Sequence, residues 1–210
     1  GIATAACVDA PKPGVDWTKC ENRHLILRET DLVKGRFAGA DLGRSDLFGA
    51  RLVEADLSGA GLDHAGLRTA DLSRAKMAGV NGYRADFTGA RLAGADLGKA
   101  EMSRAILRWA DLSDANLAKA ELQRAILQGA KLARANLAGA DLARSNLGES
   151  SLAGANLADA DMYLARIEGV DLSGAIGLTQ KQLDIACGNA NTRLPPGLSR
   201  PGSWPCKQGE

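Results

Sequence analysis

The chain has 210 residues, with 26 lysines and arginines against 25 aspartates and glutamates, so its formal net charge is +1. That balance gives no electrostatic reason to expect nucleic acid or an anionic membrane as partner. Aromatic residues make up only 4%, and no apolar run is long enough to span a bilayer, so the sequence indicates one elongated domain with an aliphatic core and no transmembrane segment.

Residues 1–24 are expected to form an irregular N-terminal cap. Pro11, Pro13 and Gly14 exclude regular structure there. Val15 and Trp17 are placed to lie as a lid over the start of the array that follows, pinned by Cys20; a docking role for Trp17 is the alternative. The sequence opens at Gly1, and Ala3-Thr4-Ala5 fits the tail of a signal-peptide cleavage site, so a processed chain, periplasmic or secreted, is expected. The cysteines agree: Cys7 and Cys20 bracket the beginning, Cys187 and Cys206 the end, and none falls between. Local pairs in even number imply two disulfides and an oxidising compartment. A zinc site is the rival, but neither pair has C-x-x-C spacing and there are only two histidines. A lipid anchor on Cys7 is a further alternative, although Thr4 stands where such a signal has an apolar residue.

From residue 25 to 178 a large apolar residue falls on every fifth position: Leu27, Leu32, Phe37, Leu42, Leu47 and onward to Ile167 and Leu172. Two residues before each stands a small one, usually alanine, as at Ala40, Ala50 and Ala140. Period five suits neither a helix nor a strand. Such units stack because one alone cannot bury its apolar side.

The runs Ala40-Asp41-Leu42, Ala55-Asp56-Leu57, Ala115-Asn116-Leu117, Ala135-Asn136-Leu137 and Ala155-Asn156-Leu157 resemble the A-[DN]-L-x-x signature of the pentapeptide-repeat family. The resemblance implies an all-β solenoid: a right-handed, four-sided β-helix with one pentapeptide per side and four per coil. Family members include DNA-mimicking proteins that protect gyrase and lumenal or periplasmic proteins. Charge supports four sides independently. If a coil holds twenty residues, outward residues twenty apart stack about 4.8 Å apart. Asp31, Arg51, Asp71, Arg91, Asp111 and Lys131 alternate in sign at that step, as do Arg36, Asp56, Lys76 and Asp96 before the column turns to Asn116, Asn136 and Asn156. Glycine two residues after the leucine (Gly39, Gly49, Gly59) suits turns with positive φ.

Gly82 breaks the inward column Leu42, Leu62, Gly82, Met102. Val80 and the adaptable Met102 are expected to refill the dent, with a small ligand cavity as the alternative. On one side Arg44, Arg84, Arg104, Arg124 and Arg144 recur with His64 at steps of twenty. This charged ladder resembles an anion track, but Asp41, Glu101, Glu121 and Asp141 precede those arginines by three residues. Pairing within each coil is the expectation. Ile106 and Ile126 occupy outward positions usually held by Asp or Asn, with Arg108 and Trp109 beside them. Gly89 and Gly129, one coil either side of Trp109, leave the indole room. These four residues form the candidate protein interface. The competing reading is that the indole only covers its glycine neighbours.

Residues 179–210 are expected to close the rod. Thr179-Gln180-Lys181-Gln182 reads as a capping box opening a short helix through Leu183 and Ala186 to Gly188. Leu194-Pro195-Pro196-Gly197 then leads a tail to Cys206. The ending resembles that of many proteobacterial pentapeptide-repeat proteins, which implies a cap, and with it a monomer rather than an end-to-end dimer.

No convergent base, nucleophile or metal set is visible, so neither catalysis nor a cofactor or metal is expected. The reading reached is an exported, non-catalytic scaffold that binds an unidentified protein. The alternative is a cytoplasmic DNA mimic acting on gyrase, which needs an acidic surface this balanced chain lacks.

Overall fold

The computed structural model describes residues 6–206, so the Ala3-Thr4-Ala5 signal lies outside the described residues. Within them the backbone winds as a solenoid whose side repeats every five residues: one bridged residue, one inward residue, a two-residue turn and a small inward residue. Bridges are parallel and link residues twenty apart, as in Asp31 with Arg51 and Arg51 with Asp71. Four repeats therefore make one coil. The column from Asp16 to Ile176 carries eight successive bridges, a rod of about 38 Å at roughly 4.8 Å per rise. The bridges are isolated single pairs, not extended strands, because a turn follows each one immediately.

The five-residue signature follows from this geometry. The inward residue accepts the turn's hydrogen bond, as Leu42 does from the Ser45 amide at 3.1 Å, while its own amide donates to Gly61 of the next coil at 2.8 Å. The third turn residue has positive φ, as at Gly39 (64°) and Arg104 (61°), the type II pattern that favours glycine. The Asp or Asn before the leucine accepts from the turn's otherwise free amide: Asp41 from Gly43 at 3.0 Å, Asp56 from Ser58 at 3.0 Å, Asn136 from Ala138 at 3.2 Å. Asn156, Asn136 and Asn116 also each donate from Nδ2 to the residue one coil before, the last of them to the Asp96 carboxylate. The leucines and alanines inside are almost wholly buried.

Bridging begins at Asp16, inside the stretch 1–24 expected to be an irregular cap. Trp17 is the inward residue of the first bridged repeat, 2% exposed, edge-on to Phe37 at 5.7 Å between ring centroids. Its side chain fills the core and has no free face for docking. What lies above is a single 3-10 turn, η1 (Ala6–Val8), joined to the coil by the Cys7–Cys20 disulfide. That bond leaves Cys7 no thiol to carry a lipid.

At the other end α1 (Gln180–Asp184) is shorter than the sequence suggests, but its capping box is present. Gln182 ties it down: its carbonyl oxygen accepts from the Thr179 amide, and its Nε2 donates to the carbonyls of Leu157 (2.7 Å) and Ala160 (3.0 Å). Cys187 and Arg193 continue the ladder onto Arg166 and Asp171. The Trp204 indole donates to the Ala186 carbonyl at 2.7 Å beside the Cys187–Cys206 disulfide. The edge of the last coil is thus paired by the chain's own tail. The Gly82 dent is narrowed by its neighbours: a Cβ there would meet Met102 and Phe87 carbons at 3.4–3.6 Å. No helix among the described residues is long and apolar enough to cross a membrane.

Candidate functional site

Ile106, Arg108 and Trp109 stand in one repeat, and Ile126 bridges to Ile106 one coil on. Isoleucine at these two bridge positions forfeits a hydrogen bond, because it has no oxygen to accept from the amide two residues later. Asp and Asn supply that acceptor elsewhere, so the apolar choice is not one the turn itself favours. Trp109 is 60% exposed and sits at φ +54°, in the left-handed region where a bulky residue is uncommon. Its indole leans onto Gly129, where an added Cβ would lie 2.5 Å from Cδ1. Gly89 does not take part; its nearest neighbour is Thr69. Ile106 and Ile126, stacked by their bridge, are half-buried, and Arg108 and Trp109 are exposed.

The charged ladder departs from expectation. Among the described residues none of Arg44, Arg84, Arg104, Arg124 and Arg144 forms an ion pair, with its own coil's carboxylate or any other. The reason is directional. Pairs on this rod run mainly between coils, as in Arg51 with Asp31 (2.8 Å) and Arg134 with Asp114 (2.5 Å). Within such columns the Asp114 carboxyl is held below the usual carboxylate range by its hydrogen bond from Arg134. A column of one sign offers its members no such partner. Asp41, the carboxylate three residues before Arg44, is instead taken by Arg23 at 2.7 Å.

Tyr83 and Tyr163 were not singled out from sequence. Both are exposed on the ladder's side, 37% and 47%, and Arg84 and Arg144 lie over their rings at 5.3 and 5.7 Å from the centroids. Their spacing of eighty residues, four coils, is the signal that could have found them. A hollow of about 380 Å³ opens beside Tyr83, lined by Asp63, His64, Asn81, Glu101, Ser103 and Glu121.

A family model described as pentapeptide repeats matches residues 26–63, 65–104, 105–142 and 135–174, in eight copies. This chain belongs to the pentapeptide-repeat family. No curated protein matches this pentapeptide-repeat protein in sequence. Among solved structures, the pentapeptide-repeat protein Rfr23 of the cyanobacterium Cyanothece 51142 is 31% identical over 54% of this chain, with a TM-score of 0.40. The chain spans 63% of Rfr23's length. HetL, involved in heterocyst differentiation regulation in the cyanobacterium Nostoc sp. strain PCC 7120, is 30% identical over 84% of this chain and 90% of its own, with a TM-score of 0.28. QnrB1, a plasmid-mediated fluoroquinolone resistance protein, is 19% identical over 83% of this chain and 92% of its own, with a TM-score of 0.42.

His24 and His64 of this pentapeptide-repeat protein lie two coils apart in one column. Among the described residues no cluster of His, Cys, Asp and Glu can hold a metal ion. On one side the surface carries exposed Trp109 beside half-buried Ile106 and Ile126, and on another the unpaired arginines of the ladder.

Proposed function

We propose that this protein is an exported, non-catalytic β-solenoid that binds another protein through Ile106, Arg108, Trp109 and Ile126. The observation that carries the reading is Trp109. A large indole stands largely exposed at a backbone position that favours glycine, beside two isoleucines that forgo a turn hydrogen bond. Aromatic and arginine anchors are common in binding surfaces. The covered C-terminal coil supports contact through the rod's side, not its end. Both disulfides fit an oxidising compartment, which supports export to the periplasm or beyond.

The test is capture from a periplasmic extract by wild type, Trp109→Ala and Ile126→Asp, with thermal denaturation of each. Loss of a captured protein in both variants, with the melting midpoint kept, is the expected result. Unchanged capture overturns the patch. A supercoiling assay with gyrase separates the DNA-mimic alternative: inhibition or protection of gyrase would move the function there.

A further inference from the structure

On three sides of the rod, charges of both signs share columns or give way to neutral residues. On the fourth they separate. The bridge column of that side carries Glu101, Glu121, Asp141 and Asp161 in successive coils, and the turn column carries Arg84, Arg104, Arg124 and Arg144. Among the described residues none of these eight forms an ion pair. An acidic stripe and a basic stripe thus run side by side along the axis, each with like charges about 4.8 Å apart.

We propose that this face binds a second copy of the chain, side by side and parallel, about a two-fold axis lying along the rod. Rotation about that axis exchanges left and right but keeps height. The acidic stripe of one copy then meets the basic stripe of the other: Glu101 faces Arg104, Glu121 faces Arg124 and Asp141 faces Arg144, each twice by symmetry. A two-fold axis across the rod would keep left and right and set acid on acid. Only the parallel arrangement is complementary, and only zero offset between coils closes it.

The strip between the stripes fits the same axis. It holds Tyr83, Ser103, Gln123, Ala143 and Tyr163, so small or flat groups lie between two exposed tyrosines. Tyrosine and arginine are both enriched at interfaces. The hollow beside Tyr83 gives the second copy's ring a place to lodge. One side of a rod this slender buries less than a standard interface, so the dimer is weak and salt-sensitive.

Sedimentation velocity at high protein concentration tests this. Wild type is expected to dimerise at about 20 mM salt and to dissociate at about 500 mM. Arg104→Glu/Arg124→Glu and Glu101→Arg/Glu121→Arg are each expected to be monomeric alone and to form a dimer when mixed one to one. Arg104→Gln/Arg124→Gln covers the case in which charge reversal unfolds a coil; it too should be monomeric. Ser103→Cys and Gln123→Cys should each cross-link to itself, since a parallel axis places both residues opposite their own copies. Trp109→Ala should leave the dimer intact. A wild type monomeric at both salt concentrations overturns the proposal. So does a dimer that survives the arginine variants, a mixture that fails to pair, or self-cross-linking at only one of the two cysteine positions.

Discussion

The Trp109 indole packs against Gly129 of the next coil so closely that a Cβ on Gly129 would sit 2.5 Å from Cδ1 and 2.8 Å from Nε1. Other side chains in the same turn position lean the same way: Lys119 approaches Gly139 and Arg134 approaches Gly154, each with a Cγ 3.4 Å from the would-be Cβ. Gly129→Ala should therefore push the indole outward. It also places alanine at φ +69°, which costs about 1 kcal/mol. The expected result is a slightly lowered melting midpoint, stronger acrylamide quenching of tryptophan fluorescence and weaker partner binding. Unchanged quenching would mean that Gly129 does not hold the ring.

Ile126 gives a test with opposite signs for stability and binding. Asparagine there can accept from the Gln128 amide, as Asn136 does from Ala138 at 3.2 Å. One hydrogen bond of this kind contributes about 1 kcal/mol. Ile126→Asn should raise the melting midpoint while reducing capture of the partner. If stability falls instead, Ile126 is held by packing, and its place in the interface needs no functional cause.

The solenoid was legible because every repeat repeats the same physics. Period five, small residues before the leucine and charge alternation at twenty all follow from bridges between residues twenty apart. The ends were harder. Trp17 looked like a lid because Pro11, Pro13 and Gly14 exclude regular structure just before it, yet it occupies the inward position and contacts Phe37. The charged ladder was visible as a column, but its pairing was not. Sequence spacing placed Glu101 near Arg104, whereas pairing on this rod runs mainly between coils, where Arg104 finds only arginines. Ile106, Trp109 and Ile126 were legible as exceptions to the repeat pattern; that the two isoleucines forgo the Asx hydrogen bond shows only in the turn geometry.

Acid should weaken the rod in a defined window. The carboxyls of Glu54, Asp63 and Asp114 lie below the usual range, first because of hydrogen bonds from Arg74, Arg23 and Arg134. Those of Asp16 and Asp171 are lowered first by hydrogen bonds from the Thr18 and Ser173 hydroxyls. A carboxylate with a depressed folded-state pKa contributes stability above its unfolded value, about 4, and loses it as pH falls through the folded value. The melting midpoint should be level from neutral pH to about 5 and decline below about 4. Arg23→Gln should lower the midpoint slightly at neutral pH and make the acid decline shallower. An unchanged decline would show that Asp63 gains nothing from Arg23.

Removing the Cys187–Cys206 bond tests whether the closing tail is a separate layer. The bond spans 19 residues, and a loop of that size contributes about 3 kcal/mol on the chain-entropy model. In a stacked array each coil is coupled mainly to its neighbours, so the loss should stay near that end. Cys187→Ser/Cys206→Ser should speed amide hydrogen exchange at Ala186, Cys187 and Arg193, which donate to Leu183, Ala165 and Val170. Leu92 and Leu112, bonded between central coils, should keep their protection. Gln182 still anchors α1 through Leu157 and Ala160, so the amides of the last regular coil should lose less than the tail. Uniform acceleration along the chain would mean that the rod and its cap unfold as one cooperative unit, and the tail would then be part of the core and not a cover on it.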